Sequence, residues 1–215
     1  MERNGSDADG LAADLERAGI DVGGFGEFTS RSLPAASEAS TFDYERAMPI
    51  LIKWLPLVET SALKEVIVRG MTGEPSARGE GAKVLLVEFR RAPADEASLK
   101  WVIANALSTL ADPTLADDLI EVLQDPNQGP ARQMLCEALH RTKDPRAPDV
   151  LISLISDPDV SGHAIAALRD YGPKTSVPYL EKARPALEKV LLDSSATALA
   201  QRMARQSLER LDAAS

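Results

Sequence analysis

The sequence predicts an all-α chain built as an α-α superhelix of about four to five stacked helical hairpins. Three observations lead there. First, one phrase recurs: Ala116-Asp-Asp-Leu119-Ile120-Glu-Val-Leu123-Gln-Asp125-Pro126 returns in kind as Pro148-Asp-Val-Leu151-Ile152-Ser-Leu-Ile155-Ser-Asp157-Pro158, at an offset of 32 residues. A repeat of that length holding two helical patterns belongs to stacked hairpins, each of which buries its apolar side on the next. Second, hydrophobic residues make up 44% and aromatic residues only 4% of the 215-residue chain. The core must then be Leu, Ile, Val and Ala, and the aromatic contribution that favours strands is missing. Third, Asp-Pro pairs punctuate the pattern at Asp112, Asp125, Asp144 and Asp157.

Taken in order, Met1–Gly10 is polar and is expected to be disordered. Leu11–Ala18 reads as a short helix stopped by Gly19. Gly23-Gly24-Phe25-Gly26 reads as a loop. It is not a phosphate-binding loop, because no strand precedes it and no Gly-Lys-Ser/Thr follows. Ser30–Ser40 is rich in Ser, Ala and Pro and reads as a linker. The expected division is therefore 1–40, an N-terminal segment partly disordered with one short helix, and 41–215, the repeat domain with a C-terminal capping hairpin.

Within the repeats, first helices are expected at Tyr44–Val58, Gly81–Arg91, Leu115–Gln124 and Pro148–Ser156. Second helices are expected at Ser61–Thr72, Glu96–Leu110, Ala131–Thr142 and Gly162–Tyr171. The register follows from aligned columns: Lys64, Lys100 and Arg132; Ile67, Ile103 and Leu135; Met71, Leu107, Leu139 and Leu168. Asp112 and Asp144 are placed to cap the coming helix, and Asp125 and Asp157 to shape the turn inside a hairpin. After Gly172, Pro178 and Pro185 break the pattern. A short helix at Val177–Ala183 and a last hairpin, Pro185–Leu192 with Thr197–Leu211, are expected there.

The Asp125…Arg132 pair, the Leu119-Ile120…Leu123 helix and the Ala138-Leu139…Asp144-Pro145 exit give the chain a family likeness. From about Tyr44 to Leu211 it resembles the HEAT-repeat proteins, in particular bacterial HEAT-like repeats of the phycobilisome-lyase type. The resemblance implies a right-handed superhelix with the second helices on the concave face. It also implies that an Asp/Arg ladder ties adjacent hairpins together. Function does not follow from such a fold.

Composition narrows the function classes. The net charge of −9 opposes a phosphate backbone, so no nucleic-acid partner is expected. No apolar run reaches the length of a membrane span, and the N-terminus lacks a signal-peptide core, so a cytoplasmic protein without membrane contact is expected. The single cysteine, Cys136, excludes an intramolecular disulfide.

The candidate chemistry is sparse. The column Lys64, Lys100, Arg132 reads as a ladder of bonds to neighbouring turns, since a cationic track would continue where this one ends at Ser161. Cys136 and His140 are one helical turn apart, yet Cys136 shares its column with Val68, Ala104 and Ile165 and reads as packing. Two histidines and one cysteine without close spacing support no metal site, and no cofactor is expected. The loop Gly73–Gly81 is either a binding loop or a tolerated insertion.

Positions i, i+4 and i+7 of the second helices form a polar stripe: Glu65, Arg69, Thr72; Trp101, Asn105, Ser108; Gln133, Glu137, His140; Gly162, Ala166, Arg169. A Trp in such a stripe suggests a binding hot spot. The expected recognition surface is Trp101 with Arg69, Asn105, Glu137 and His140; the competing reading packs Trp101 on the N-terminal segment. The expected function is a non-enzymatic module for a protein or peptide partner, one version being an immunity or regulatory partner. The resemblance offers two alternatives, a bilin-lyase-like enzyme or subunit and a HEAT-like DNA glycosylase.

Overall fold

A computed structural model describes residues 3–20 and 42–213. The loop at Gly23–Gly26, the linker at Ser30–Ser40 and the boundary at 40/41 lie outside the described residues. Eleven α-helices and no strand occur among the described residues, which is the expected all-α class of packed hairpins. The chain divides into two compact units, 1–111 and 112–215.

The first unit holds α1 (Arg3–Arg17), α2 (Tyr44–Trp54), α3 (Ser61–Met71), α4 (Glu80–Arg91) and α5 (Ala97–Leu110). Helix α1 starts well before the expected Leu11. Its Ala8, Leu11 and Leu15 are buried, and Gly10 lies so close to Trp54 that an added Cβ would stand 2.5 Å from the ring. The helix closes with Gly19 N–H on the Glu16 carbonyl and Ile20 N–H on the Leu15 carbonyl, a Schellman closure with Leu15 and Ile20 buried. Asp43 caps α2 by accepting from Arg46 N–H at 3.0 Å. Helix α2 stops at Trp54, short of the expected Val58: Leu55 still has helical dihedrals, but Pro56 has no N–H to carry the ladder on. Second helix α3 packs on second helix α5, and α4 packs on α5.

The second unit holds α6 (Ala116–Gln124), α7 (Gln133–Thr142), α8 (Ala147–Ser153), α9 (Ser161–Arg169), α10 (Val177–Leu192) and α11 (Ala198–Asp212). Leu119, Val122 and Leu123 bury one face of α6, each contributing about 1.5–3 kcal/mol. Second helices pack on second helices here too, α7 on α9 and α9 on α11. The last contact is close: an added Cβ at Gly162 would stand 2.7 Å from Leu199 Cγ and 3.0 Å from the Ala200 nitrogen.

Two expectations need correction. Pro185 does not separate two helices, since α10 runs unbroken through it. Leu180 and Ala183 before it, and Leu187 and Val190 after it, are buried. Burial of four side chains offsets the roughly 3 kcal/mol that an interior proline costs. The Asp-Pro pairs also do not divide into two kinds: Asp112 caps the 3₁₀ turn Pro113–Leu115 as expected, and Asp125 caps Pro126–Arg132 in the same way. Asp112, Asp125, Asp144 and Asp157 all accept the N–H two residues on, at 2.8, 3.0, 2.8 and 3.0 Å. One Asx-turn device serves both connections.

Candidate functional site

The basic column resolves into structural contacts. Lys64 pairs with Glu88, a buried acid that also accepts from Arg91 at 3.2 Å. Lys100 is buried with its ammonium 5.0 Å from the centre of the Phe89 ring. Arg132 is 1% exposed. Its Nη1 donates to the Leu123 carbonyl at 2.9 Å, its Nε to the Gly129 carbonyl at 3.0 Å, and its Nη2 reaches Asp157 at 2.8 Å. The column's expected partners are carboxylates or carbonyls of a neighbouring turn, Asp95 and Asp125 among them, and the Leu123 and Gly129 carbonyls are such partners. The carboxylate found, Asp157, lies in the next hairpin, so the contact ties one repeat to another. Asp125 instead serves Asn127 and Gln128 in its own loop.

The polar stripe of the second helices faces neighbouring helices more than solvent. In the first unit Glu65 accepts from Ser98 of α5 at 2.6 Å and from Arg69 at 3.0 Å. In the second unit Gly162 abuts Leu199, and Arg169 donates to Gln206 of α11 at 2.8 Å. The reason is the stacking of second helix on second helix, which turns this column into a seam.

The five predicted recognition residues therefore fare differently. Trp101 keeps 48% of its surface exposed, Arg69 is exposed and paired with Glu65, and Asn105 is half-buried; all three belong to the first unit. Glu137 and His140 belong to the second. His140 is a correction: its side chain is buried, edge-on to Tyr171 at 4.4 Å, so the exposed stripe does not include it. Its Nε2 lies 3.2 Å from the Lys143 ammonium. Burial first, then that neighbouring charge, hold its pKa below the usual imidazole value. Glu137 is half-buried, and burial together with the Asp170 carboxyl raises its pKa.

The N-terminal helix is fastened by the other tryptophan. Trp54 Nε1 donates to Asp14 at 2.8 Å, and Lys53 adds an ion pair to the same carboxylate at 3.0 Å. These bonds hold the Asp14 pKa low.

Cys136 is fully buried, and desolvation pushes its thiol up to about 12, which removes the thiolate that chemistry requires. Among the described residues no group of His, Cys, Asp and Glu could hold a metal ion, and no helix is long and apolar enough to cross a membrane. The loop after α3 carries a short 3₁₀ turn, Pro75–Ala77, that buries Ala77. With Glu45, Met48, Ile52 and Lys53 of α2, its Arg78 lines an open groove of about 670 Å³ in the first unit.

A cavity of about 190 Å³ escaped the sequence reading. It lies in the second unit, with Ile155, Pro158 and Ser161 on one side and Lys189, Asp193 and Thr197 on the other. Its one trace in the sequence is the end of the basic column at Ser161.

A family model described as HEAT repeats matches residues 83–169, which run from α4 to the end of α9. No curated protein and no solved structure matches the chain. The family match and the packed helical hairpins together support a HEAT-repeat protein.

Proposed function

We propose that this chain is a non-enzymatic protein-binding module that takes a protein or peptide partner on the second-helix side of its first unit, around Trp101, Arg69 and Asn105. The observation that carries this reading is Trp101. It is 48% exposed on a helix whose Leu99, Val102, Ile103, Ala106 and Leu107 are all buried. Ser98 on the same helix bonds Glu65, the partner of Arg69, and an exposed Trp and an Arg on two such joined helices have the composition of a hot spot, where truncation typically costs about 2 kcal/mol or more of binding. HEAT repeats commonly serve as interaction scaffolds, which accords with it.

The net charge of −9 favours a basic or neutral partner over a nucleic acid. A protein that this module neutralises or regulates is the narrower form of the reading. A lone buried thiol suits a reducing cytoplasm. Glu137 belongs to the second unit, is turned toward Asp170 and is not counted in this surface.

The test is affinity capture with the wild-type chain and with Trp101→Ala/Arg69→Ala, alongside thermal melts. Loss of the captured partner at unchanged Tm supports the surface. A drop in Tm, or full capture by the double variant, sinks it.

A further inference from the structure

The second unit contains one arginine slot that is filled and one that is not. In the filled slot Arg132, at the start of second helix α7, reaches the Leu123 and Gly129 carbonyls and the Asp157 carboxylate of the next hairpin's loop. One repeat further, the carboxylate and the start of the second helix recur without the guanidinium. Ser161, at the start of second helix α9, stands in Arg132's column. Ile155 stands where Leu123 does, two residues before the Asp of the loop. Pro158 lies three residues before the column position, as Gly129 does, in a loop that is three residues shorter. Asp193, in the loop between α10 and α11, stands where Asp157 does.

Ile155, Pro158, Ser161 and Asp193 all line the same cavity of about 190 Å³. Replacing an arginine by a serine removes most of a long side chain, and the space remains. An apolar cavity of about 150 Å³ accommodates a six-atom ring, so this one has room for a guanidinium head on a short stem. A nucleotide-sized ligand needs more.

The remaining groups suit that occupant. Asp193 Oδ1 accepts from Ser195 N–H at 2.8 Å and Ser195 Oγ at 2.6 Å. Those bonds lower its pKa and keep the carboxylate charged. No ion pair to Asp193 occurs within 4.0 Å among the described residues, whereas Asp157 has Arg132. The Ser161 hydroxyl is buried and has no hydrogen-bond partner among the described residues. Turned about its Cα–Cβ bond, it offers the slot one more acceptor. The single cation in the lining is Lys189, exposed and one helical turn before Asp193.

We propose that this cavity binds a guanidinium group from outside the chain, seated on Asp193, Ser161 and the loop at Ile155–Pro158 as the Arg132 guanidinium is seated on Asp157. The group is planar and matches a carboxylate with paired N–H donors, which a point-charge ammonium does not. Its source is either a free guanidinium compound or the arginine side chain of a basic partner. The site lies apart from Trp101 in the chain and does not rest on the reading given above.

The test is calorimetric titration of the full-length chain with methylguanidinium and with acetyl-Ala-Arg-Ala-amide. Methylurea and the citrulline tripeptide serve as uncharged counterparts. The charged probes bind and the neutral ones do not. Asp193→Asn, which keeps an Asx-turn acceptor, weakens binding at least about tenfold, as loss of a charged hydrogen bond does. Ser161→Arg fills the slot from within, abolishes binding and raises Tm. Lys189→Gln removes the competing charge and tightens binding. Tighter binding of the tripeptide than of methylguanidinium identifies a side chain as the occupant, and the reverse order identifies a small molecule. The proposal fails if neither charged probe binds, or if binding survives both Asp193→Asn and Ser161→Arg.

Discussion

Arg132 and Asp157 meet at 2.8 Å across the boundary between two consecutive hairpins, with the guanidinium 1% exposed. The arginine also closes its own hairpin through two backbone carbonyls. A single side chain thus joins a turn, a helix start and the next repeat.

Arg132→Ala should therefore lower stability by about 2–4 kcal/mol, because it opens a cavity and strands two carbonyls and a carboxylate. Arg132→Lys should recover only part of this, since an ammonium cannot span three acceptors in a fixed fork. Chemical denaturation at neutral pH measures both. An Arg132→Ala variant as stable as the wild type would falsify the ladder's role.

The anchoring of α1 should depend on pH through Asp14. Its folded pKa lies below the usual 3.8, held down by Trp54 first and Lys53 second. The contribution is then present above that value and is lost as the pH falls through the lower folded pKa. Limited proteolysis should show α1 released under acid conditions while the hairpins persist. Asp14→Asn should loosen α1 at all pH values and flatten the dependence.

Glu137 should behave in the opposite sense. Its pKa is raised above 4.5, by burial first and then by Asp170. Its contribution is complete below 4.5 and is lost as the pH rises through the higher folded value. Glu137→Gln should match the wild type in mild acid and exceed its Tm near neutrality. Equal melting curves at both pH values would show that neither burial nor Asp170 disfavours the Glu137 carboxylate in the folded chain.

Cys136 should be inert toward thiol reagents while the chain is folded. Full burial and a thiol pushed up to about 12 leave no accessible thiolate at mild alkaline pH. Labelling should track unfolding in denaturant. Cys136→Ser should cost about 1–3 kcal/mol through burial of a hydroxyl, and Cys136→Ala less.

The repeat and its register were legible in the sequence because local rules write them. Apolar residues recur at helical spacing, Asp-Pro pairs close each turn, and the column Lys64, Lys100, Arg132 keeps a cation from hairpin to hairpin, although its partners differ. The end of α2 and the continuity of α10 were less legible. Both contain or adjoin proline, and only burial of the flanking side chains decides whether a helix tolerates it.

By itself, the sequence determined the helical class and the order of the hairpins. Only the tertiary structure decided which polar residues meet solvent. Helical periodicity reports the angle of a side chain about its own axis, whereas exposure depends on the helix packed beside it. His140 and Gly162 share a stripe with Trp101, yet Tyr171 and Leu199 cover them while Trp101 stays 48% exposed. In the same way Ser161 reads as the end of a column, and only the fold reveals the space left beside Asp193.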